Sequence, residues 1–498
     1  MGVERQGSSV ASLFIDGAWT SATTGATSLV INPFDQAVIA EVDVADDVDV
    51  ALAIDSARRA FDAGEWSGTS ATERGALLNR VADLLQRDGE EIARTETLNT
   101  GKAIREGRSD VDDVTRVFRY YAGMADKEAG RVVATGSITA VSRIVYEPVG
   151  VCALISPWNY PLLQASWKVA PALAAGNTFV LKPAQVTPLT AIHLLRILAE
   201  AGLPKGVGNL LLGPGERIGA ALAESRDIDL VSFTGGGVAG RSIMRAAAGN
   251  VKKVALELGG KSPNIVFADA DFETVVDYAL TAAFLHSGQV CSAGCRAIVE
   301  DSIYDAFVTE VARRTDLIRL GSGFGERTET GPLISAEHLA KVEGYVRIGR
   351  EEGARLVAGG FRPNEPELAN GFFFRPTVFA DCRREMRIVQ EEIFGPVLTI
   401  ERFSTEDEAV AIGNDTIYGL AGAVWTNDAG RGQRVAARLR HGTIWINDYH
   451  PYLPQAEWGG FKQSGIGREL GPGGLDEYRE AKHIYQNTAP GPSGWFGG

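Results

Sequence analysis

From about residue 149 onward, short apolar runs alternate with helical segments, and this alternation limits the fold more than any other feature of the chain. Val151–Ile155, Thr178–Leu181, Leu210–Leu212, Leu230–Phe233 and Val254–Leu256 read as strands, and segments near 162–175, 188–201, 215–224 and 238–248 as helices. Thr187-Pro188 starts the second of these helices and Gly202 stops it. Strands and helices at this spacing form βαβ units, whose crossovers require a mostly parallel sheet. A second series runs from Pro263 to about Asn447, with strands at Ile265–Phe267, Ala297–Val299, Val397–Ile400, Ala421–Trp425 and Thr443–Ile446. Two such series predict two α/β domains with a cleft between them.

The remaining segments are assigned around that frame. The first half is expected to open with helices. Val50, Ile54, Ala57 and Phe61 make one apolar stripe, and Ser70-Ala71-Thr72-Glu73 is a capping box for a helix burying Leu77, Leu78, Val81, Leu84 and Leu85. Residues 131–148 read as a β-hairpin and Ala481–Gln486 as a short strand. Hairpins are marginal alone, so these pieces are expected to pair with something, such as another subunit. The predicted division is 1–130 with 149–257 as one α/β unit, 258–447 as a second, and 131–148 with 475–490 as a small β element.

Composition narrows the function classes. The 498 residues suffice for two or three domains, and a formal charge of −14 disfavours nucleic-acid and anionic-membrane partners. Four cysteines are too few and scattered for a disulfide framework, and the six histidines show no zinc spacing, so no metal is expected. The first residues lack an apolar signal core and no apolar run is long enough to span a bilayer. A reduced, cytoplasmic protein is the expectation.

Three residues carry candidate chemistry. Cys291 follows helix-forming residues and lies between Gly288 and Gly294, a break that can expose a thiol and bring backbone N–H groups near to favour a thiolate. A lone cysteine is more often a small buried hydrophobe. Glu257 ends a strand where α/β sheets place ligands, and partial desolvation between two leucines would raise its pKa toward that of a general base. Read alone, it is equally a structural glutamate. Asn159, in Ser156-Pro157-Trp158-Asn159-Tyr160-Pro161, is placed to donate to an oxyanion, although a turn asparagine explains it locally as well. Gly213-Pro214-Gly215-Glu216-Arg217-Ile218-Gly219 spaces its last glycine one residue beyond the dinucleotide fingerprint. Together with the turns at Lys182-Pro183 and Phe233-Thr234-Gly235-Gly236-Gly237 it still points to a nucleotide at one sheet edge.

The set Ser156-Pro157-Trp158-Asn159, Leu181-Lys182-Pro183, Phe233-Thr234-Gly235, Glu257-Leu258-Gly259-Gly260-Lys261, Gly288-Gln289-Val290-Cys291, Glu392-Ile393-Phe394-Gly395-Pro396 and Gly467-Arg468-Glu469-Leu470 resembles, in order and over essentially the whole chain, the NAD(P)-dependent aldehyde dehydrogenases. The resemblance implies an aldehyde dehydrogenase-like fold of two Rossmann-type α/β domains, 1–130 with 149–257 for dinucleotide binding and 258–447 for catalysis, with the small β element 131–148 and 475–490 used for oligomerisation in dimers or tetramers. It implies Cys291 as nucleophile, Asn159 with the Cys291 N–H as oxyanion donors, Glu257 as the base that activates water, and Lys168 with Glu469 as a proton relay. It implies Lys182 on the adenine ribose, Glu392 on the nicotinamide ribose with Phe394 behind it, and Ile155, Pro157, Trp158, Gly215, Gly219, Phe233, Gly236 and Leu258 along the groove. The implied cofactor is NAD.

Departures from the family pattern sharpen the reading. Gln185 replaces a common glutamate that repels a 2′-phosphate, which opens the site to NADP. Gly236 replaces a common serine, and His286 a usual asparagine, the latter read as a packing residue. The stretch Ile446–Gly460 resembles members that oxidise betaine aldehyde. Tyr160, Trp167, Tyr452 and Trp458 are expected to form an aromatic box for a quaternary ammonium, which offers no hydrogen-bond donor and is held by cation–π attraction. Val290, Ser292 and His450 would shape the rest of the aldehyde site. Leu285 stands where related plant enzymes carry an aromatic, so aminoaldehydes, semialdehydes or a broader aldehyde range stay open as substrates. A CoA-acylating variant or a non-enzymatic structural member ranks lower, because both Cys291 and Glu257 are present.

Overall fold

A computed structural model describes residues 12–127 and 130–496. The first αβ series builds an eight-stranded sheet in the order Gly465–Ile466, Lys253–Glu257, Leu230–Thr234, Val151–Ile155, Thr178–Lys182, Gly208–Leu210, Leu13–Ile15, Ala18–Thr20. The strands from Lys253–Glu257 through Gly208–Leu210 run parallel. Every residue of Leu230–Thr234, Val151–Ile155 and Thr178–Lys182 is buried, because helices cover both faces; that is why the sequence shows continuous apolar runs rather than alternation. From Val151–Ile155 the chain first builds outward through Thr178–Lys182 and then returns to the other side with Leu230–Thr234. Ligands of open α/β sheets bind at such a reversal, beyond the carboxyl ends of the strands.

Two expectations shift. The strand foreseen at Leu210–Leu212 pairs at Gly208–Leu210 instead. Leu211 and Leu212 are apolar because the loop leading to Gly213 is buried, its carbonyl at Leu212 accepting from Ala45 N at 2.9 Å. The described residues also open with strands rather than helices. Leu13–Ile15 joins the sheet edge antiparallel through Phe14 and Leu210, and Thr27–Ile31 pairs with Val38–Asp43, before the helices Asp47–Ala63, Ala71–Arg87, Gly89–Thr100 and Ile104–Met124. Three-residue strands carry no measurable period, so nothing in the sequence marks them. The capping box forms as expected: Ser70 N donates to Glu73 Oε2 at 2.9 Å and Glu73 N to Ser70 Oγ at 3.2 Å.

The second series makes a seven-stranded sheet in the order Arg355–Ala358, Thr377–Ala380, Val397–Phe403, Arg296–Glu300, Pro263–Val266, Ala421–Trp425, Thr443–Ile446. It is parallel except at the Arg355–Ala358 edge, where the sheet gains two strands the sequence pattern does not show. Arg131–Val133, Ala140–Pro148 and Arg479–Asn487 form a separate antiparallel sheet, the last two in register from Arg479↔Pro148 to Asn487↔Ala140. Gly465–Ile466 pairs onto Leu256 and Glu257, which ties the segment after residue 446 to the carboxyl end of a central strand. Among the described residues no helix is long and apolar enough to cross a membrane.

Candidate active site

The loop that carries Cys291 is held in an unusual backbone path. His286, Ser287 and Gly288 have φ of 48°, 54° and 70°, so the chain turns through the left-handed region before reaching the thiol. The turn is fastened by Ser287 N donating to Thr330 Oγ1 at 2.7 Å and by Gln289 Oε1 accepting from Ile334 N at 2.9 Å. A side chain at Gly288 would collide with the Gly395 carbonyl, so only glycine lets this turn meet the segment bearing Phe394. Asn159 Nδ2 donates to the Gln289 carbonyl at 2.8 Å. An amide nitrogen carries two protons, so this bond fixes the group and leaves one N–H free. The expectation of an exposed, thiolate-prone cysteine is corrected. Cys291 is half-buried, and burial together with the Glu257 and Glu392 carboxylates pushes its pKa up to about 12, outweighing the Ser292 and Cys291 N–H groups.

Glu257 is buried, and neither carboxylate oxygen has a hydrogen-bond partner. Burial, then Glu469, raises its pKa well above the usual carboxylate range, against the Lys168 ammonium and Arg468. Gly459 leaves room for it, since a Cβ there would lie 2.9 Å from Glu257 Oε1. Lys168, buried in the helix Pro161–Ala175, is ion-paired with Glu469 and donates to Thr234 Oγ1 at 2.7 Å. Burial raises the pKa of Glu469, and Lys168 opposes the rise.

A cleft of about 370 Å³ runs from the sheet reversal to Cys291. It is lined by Ile155, Pro157, Trp158, Lys182, Gly215, Phe233, Gly236, Leu258, Glu392 and Phe394 from the sequence-derived cofactor set. Gly219 lies on the buried side of its helix beside Ile155, and Gln185 is exposed past Lys182. The residues suit a dinucleotide. Lys182 is buried, and burial alone lowers its pKa to about 8, so its ammonium lacks an anionic or polar partner that a ribose would supply. Gly236 faces open space, and Gly259 makes room for Glu392, whose Oε1 accepts from Gly260 N at 3.1 Å. Trp158 meets Phe394 edge-on at 5.2 Å. His338 and Lys341, which no sequence motif marks, also line the cleft, and His338 Nε2 donates to the Phe394 carbonyl at 2.6 Å.

On the other side of Cys291 the aromatic residues divide. Trp167, Tyr452 and Trp458 cluster with ring centroids 5.0–6.2 Å apart. Trp445, absent from the sequence reading, stacks on Trp458 and meets Tyr452, both at 6.2 Å. It looks like an ordinary strand residue in Thr443–Ile446, and only the fold brings it here. The Tyr160 ring packs against His286 at 5.6 Å and under the Lys102 ammonium at 4.1 Å, and its hydroxyl is near enough to Tyr452 and Cys291 for both to help burial raise its pKa. Ser292 Oγ is hydrogen-bonded to Tyr452 Oη at 2.6 Å and approaches His450 Nδ1 at 3.5 Å. His450 packs on Tyr449 and Tyr452, and burial lowers its pKa to about 4. Val290 is buried beside the nucleophile.

The chain belongs to the aldehyde dehydrogenase family, whose sequence model matches residues 19–484. Betaine aldehyde dehydrogenase of Bacillus subtilis is 59% identical over 484 residues, spanning 97% of this chain and 99% of that protein. Peroxisomal aminoaldehyde dehydrogenase 1 of Pisum sativum is 41% identical over 490 residues, spanning 97% of each. A crystal structure of Staphylococcus aureus betaine aldehyde dehydrogenase in complex with NAD+ matches with a TM-score of 0.97 at 51% identity, covering 98% of this chain and 97% of that one. The fold class and the enzyme class expected from the sequence both stand.

Proposed function

We propose that this enzyme oxidises betaine aldehyde to glycine betaine with NAD+, and that the residues described above divide the work. The Cys291 sulfur adds to the aldehyde carbonyl and its proton passes to solvent. The oxyanion of the thiohemiacetal is held by the free Asn159 N–H and the Cys291 backbone N–H. When bound, NAD+ accepts the hydride that leaves this carbon, and a thioester remains on Cys291. Covalent attachment splits a difficult oxidation into two easier steps. Glu257 then takes a proton from the water that cleaves the thioester, and Lys168 with Glu469 carries protons away.

The observation that carries the substrate assignment is the Trp167, Tyr452 and Trp458 cluster beside the nucleophile loop, now joined by Trp445. Aromatic faces attract a trimethylammonium group that hydrogen bonds cannot hold. Aminoaldehydes are the second reading, favoured by Leu285 and by the 41% identity to the pea enzyme. The division into dinucleotide, catalytic and oligomerisation regions belongs to the same proposal. So does a homodimer or homotetramer, supported by Val132 and Val133, which lie exposed on the small sheet. All four cysteines are unpaired, which suits a cytoplasmic setting.

The test is a kcat/KM panel over betaine aldehyde, 4-aminobutanal and propanal with NAD and NADP, since Gln185 offers no charge against a 2′-phosphate. Betaine aldehyde is expected to lead. Trp458→Ala should raise its KM about 2- to 30-fold, the equivalent of ~0.5–2 kcal/mol for one ring, and spare propanal. Equal losses for both aldehydes would remove the case for the box. Cys291→Ala should abolish NADH formation while cofactor binding persists.

A further inference from the structure

The Glu257 carboxylate lies against Gly459, a residue with no part in the mechanism above. Gly459 is buried, and its φ lies outside the left-handed region, so glycine stands there for space and not for backbone conformation. A Cβ on it would lie 2.9 Å from Glu257 Oε1, 2.7 Å from Arg468 Cδ and 2.9 Å from the Gly467 carbonyl oxygen, closer than real Cβ atoms approach. Those atoms close on the empty position, and the oxygen of the base forms one wall.

The backbone around this position is fastened. Trp458 N donates to the Glu469 carbonyl at 2.6 Å, and Glu469 N to the Trp458 carbonyl at 2.7 Å. Phe461 N donates to the Gly419 carbonyl at 2.8 Å, and a side chain at Gly442 would run into the Gly459 carbonyl. On the facing strand Glu257 pairs with Gly465, Gly235 N donates to the Glu257 carbonyl at 3.0 Å, and Leu258 N donates to the Ser464 carbonyl at 2.8 Å. Arg468 is tied as well, its N donating to Glu477 Oε1 at 3.2 Å and its Nη1 to the Gly467 carbonyl at 2.6 Å. The Glu257 carboxylate has no hydrogen bond to hold it. It is therefore the group that yields to an atom added at position 459.

We propose that Gly459 is a positioning residue for the base: the space it leaves open is the seat of the Glu257 carboxylate, and one added methyl group moves that carboxylate out of line with the thioester. The inference rests on the reading of Glu257 as the base of hydrolysis, not on which aldehyde is oxidised. The steps up to hydride transfer depend on Cys291 and Asn159, whose turn is held through Thr330, Ile334 and the Gln289 carbonyl. None of those bonds involves Gly459, so the two halves of the reaction respond differently. A base displaced by about an ångström slows the step it serves and leaves the earlier step alone.

The experiment uses Gly459→Ala, Glu257→Ala and the two together, with propanal as substrate so that the neighbouring Trp458 ring is not tested at the same time. Rapid mixing of the NAD-loaded enzyme with propanal reads the first turnover of NADH, and a steady-state assay reads kcat and kcat/KM. Gly459→Ala is expected to keep the first turnover and kcat/KM within about twofold while kcat falls about 10- to 100-fold. In the Glu257→Ala background it should change kcat by less than about twofold, because the group it displaces is gone. An unchanged kcat in Gly459→Ala overturns the proposal. So does a first turnover that falls with kcat, and so does an equal further loss in the Glu257→Ala background, since the methyl group would then act through something else. Should Gly459→Ala not fold, the double variant decides: a folded protein once the carboxylate is removed supports the seat, and failure of both overturns it. If Glu257→Ala keeps the native kcat, the reading of Glu257 falls and this inference falls with it; if Glu257→Ala is slow and Gly459→Ala is not, the reading of Glu257 survives alone.

Discussion

Lys168 and Lys102 are both fully buried, and both are ion-paired with carboxylates, yet only one of the two groups is set against a reacting atom. Lys168 is shared by Glu469 and Glu257. Lys102 is held by Asp110 at 2.5 Å and Glu96 at 3.8 Å, with Glu106 close by. Each group contains one carboxylate with both oxygens unpaired, Glu257 in the first and Glu106 in the second. Glu257 is near enough to Cys291 to raise its pKa, and Cys291 lines the cleft. Glu106 answers to Lys102 and Asp110, and its pKa is pushed up to about 7 chiefly by burial. A buried unpaired carboxylate is therefore a base only where a reactant can reach it. Elsewhere it is a cost that protonation relieves.

The largest effect that would break this contrast belongs to Glu257. Glu257→Gln is expected to permit about one NADH per site and then stall, with steady turnover down by roughly 10²–10⁴. Rapid mixing followed by steady-state assay reads both phases, and a full steady rate would remove Glu257 from hydrolysis. Next come the lysines. Removing Lys168 takes away the ammonium that lowers the Glu257 pKa, so in Lys168→Met the acid limb of the kcat profile should move to higher pH. Glu469→Gln removes the charge that raises it, and the limb should move down. Lys102→Met should leave the limb in place and instead cost stability, about 3–5 kcal/mol for an orphaned buried ion pair. A pH–rate series with parallel unfolding curves distinguishes them, and a limb displaced by Lys102→Met would erase the distinction.

The same contrast explains what was legible in the sequence. Cys291, Glu257 and Asn159 stand in short local patterns at strand ends and glycine turns that suit a nucleophile, a base and an oxyanion donor, while Lys168, inside the helix Pro161–Ala175, and Glu469 are marked only by the family resemblance. The central strands are legible because burial on both faces leaves unbroken apolar runs. The Lys102 group comes from the helices Gly89–Thr100 and Ile104–Met124 and the link between them, and reads locally as ordinary helical charge. Glu106 and Asp110 share one helical face, but nothing in that spacing tells that the face is buried. Trp445 and His338 are hidden for a related reason, since each reaches the site only through sheet or helix packing. Tyr160 shows the converse. Its place next to Asn159 suggests a substrate role, but nothing local tells that an internal ammonium, Lys102, lies over its ring.

Glu106→Gln gives the smallest effect and the sharpest control. The folded-state pKa of Glu106, about 7, lies above the ordinary 4.5, so the folded protein binds more protons than the unfolded chain between those values. At low pH both states are protonated and the residue costs nothing on this account. As pH rises through the folded pKa the penalty grows to about 3 kcal/mol and then stays constant. Replacing the carboxyl by an uncharged amide removes that dependence, so the variant should match the native protein near pH 4.5 and exceed it in melting temperature near pH 8. Glu257→Gln should stabilise in the same direction, because its pKa is raised by the same burial. The two variants then share a stability signature and part in catalysis, since Glu106→Gln keeps its turnover. Should Glu106→Gln also lose the hydrolytic phase, both buried acids would act on the thioester, and access to the cleft would no longer be what separates a base from a burden.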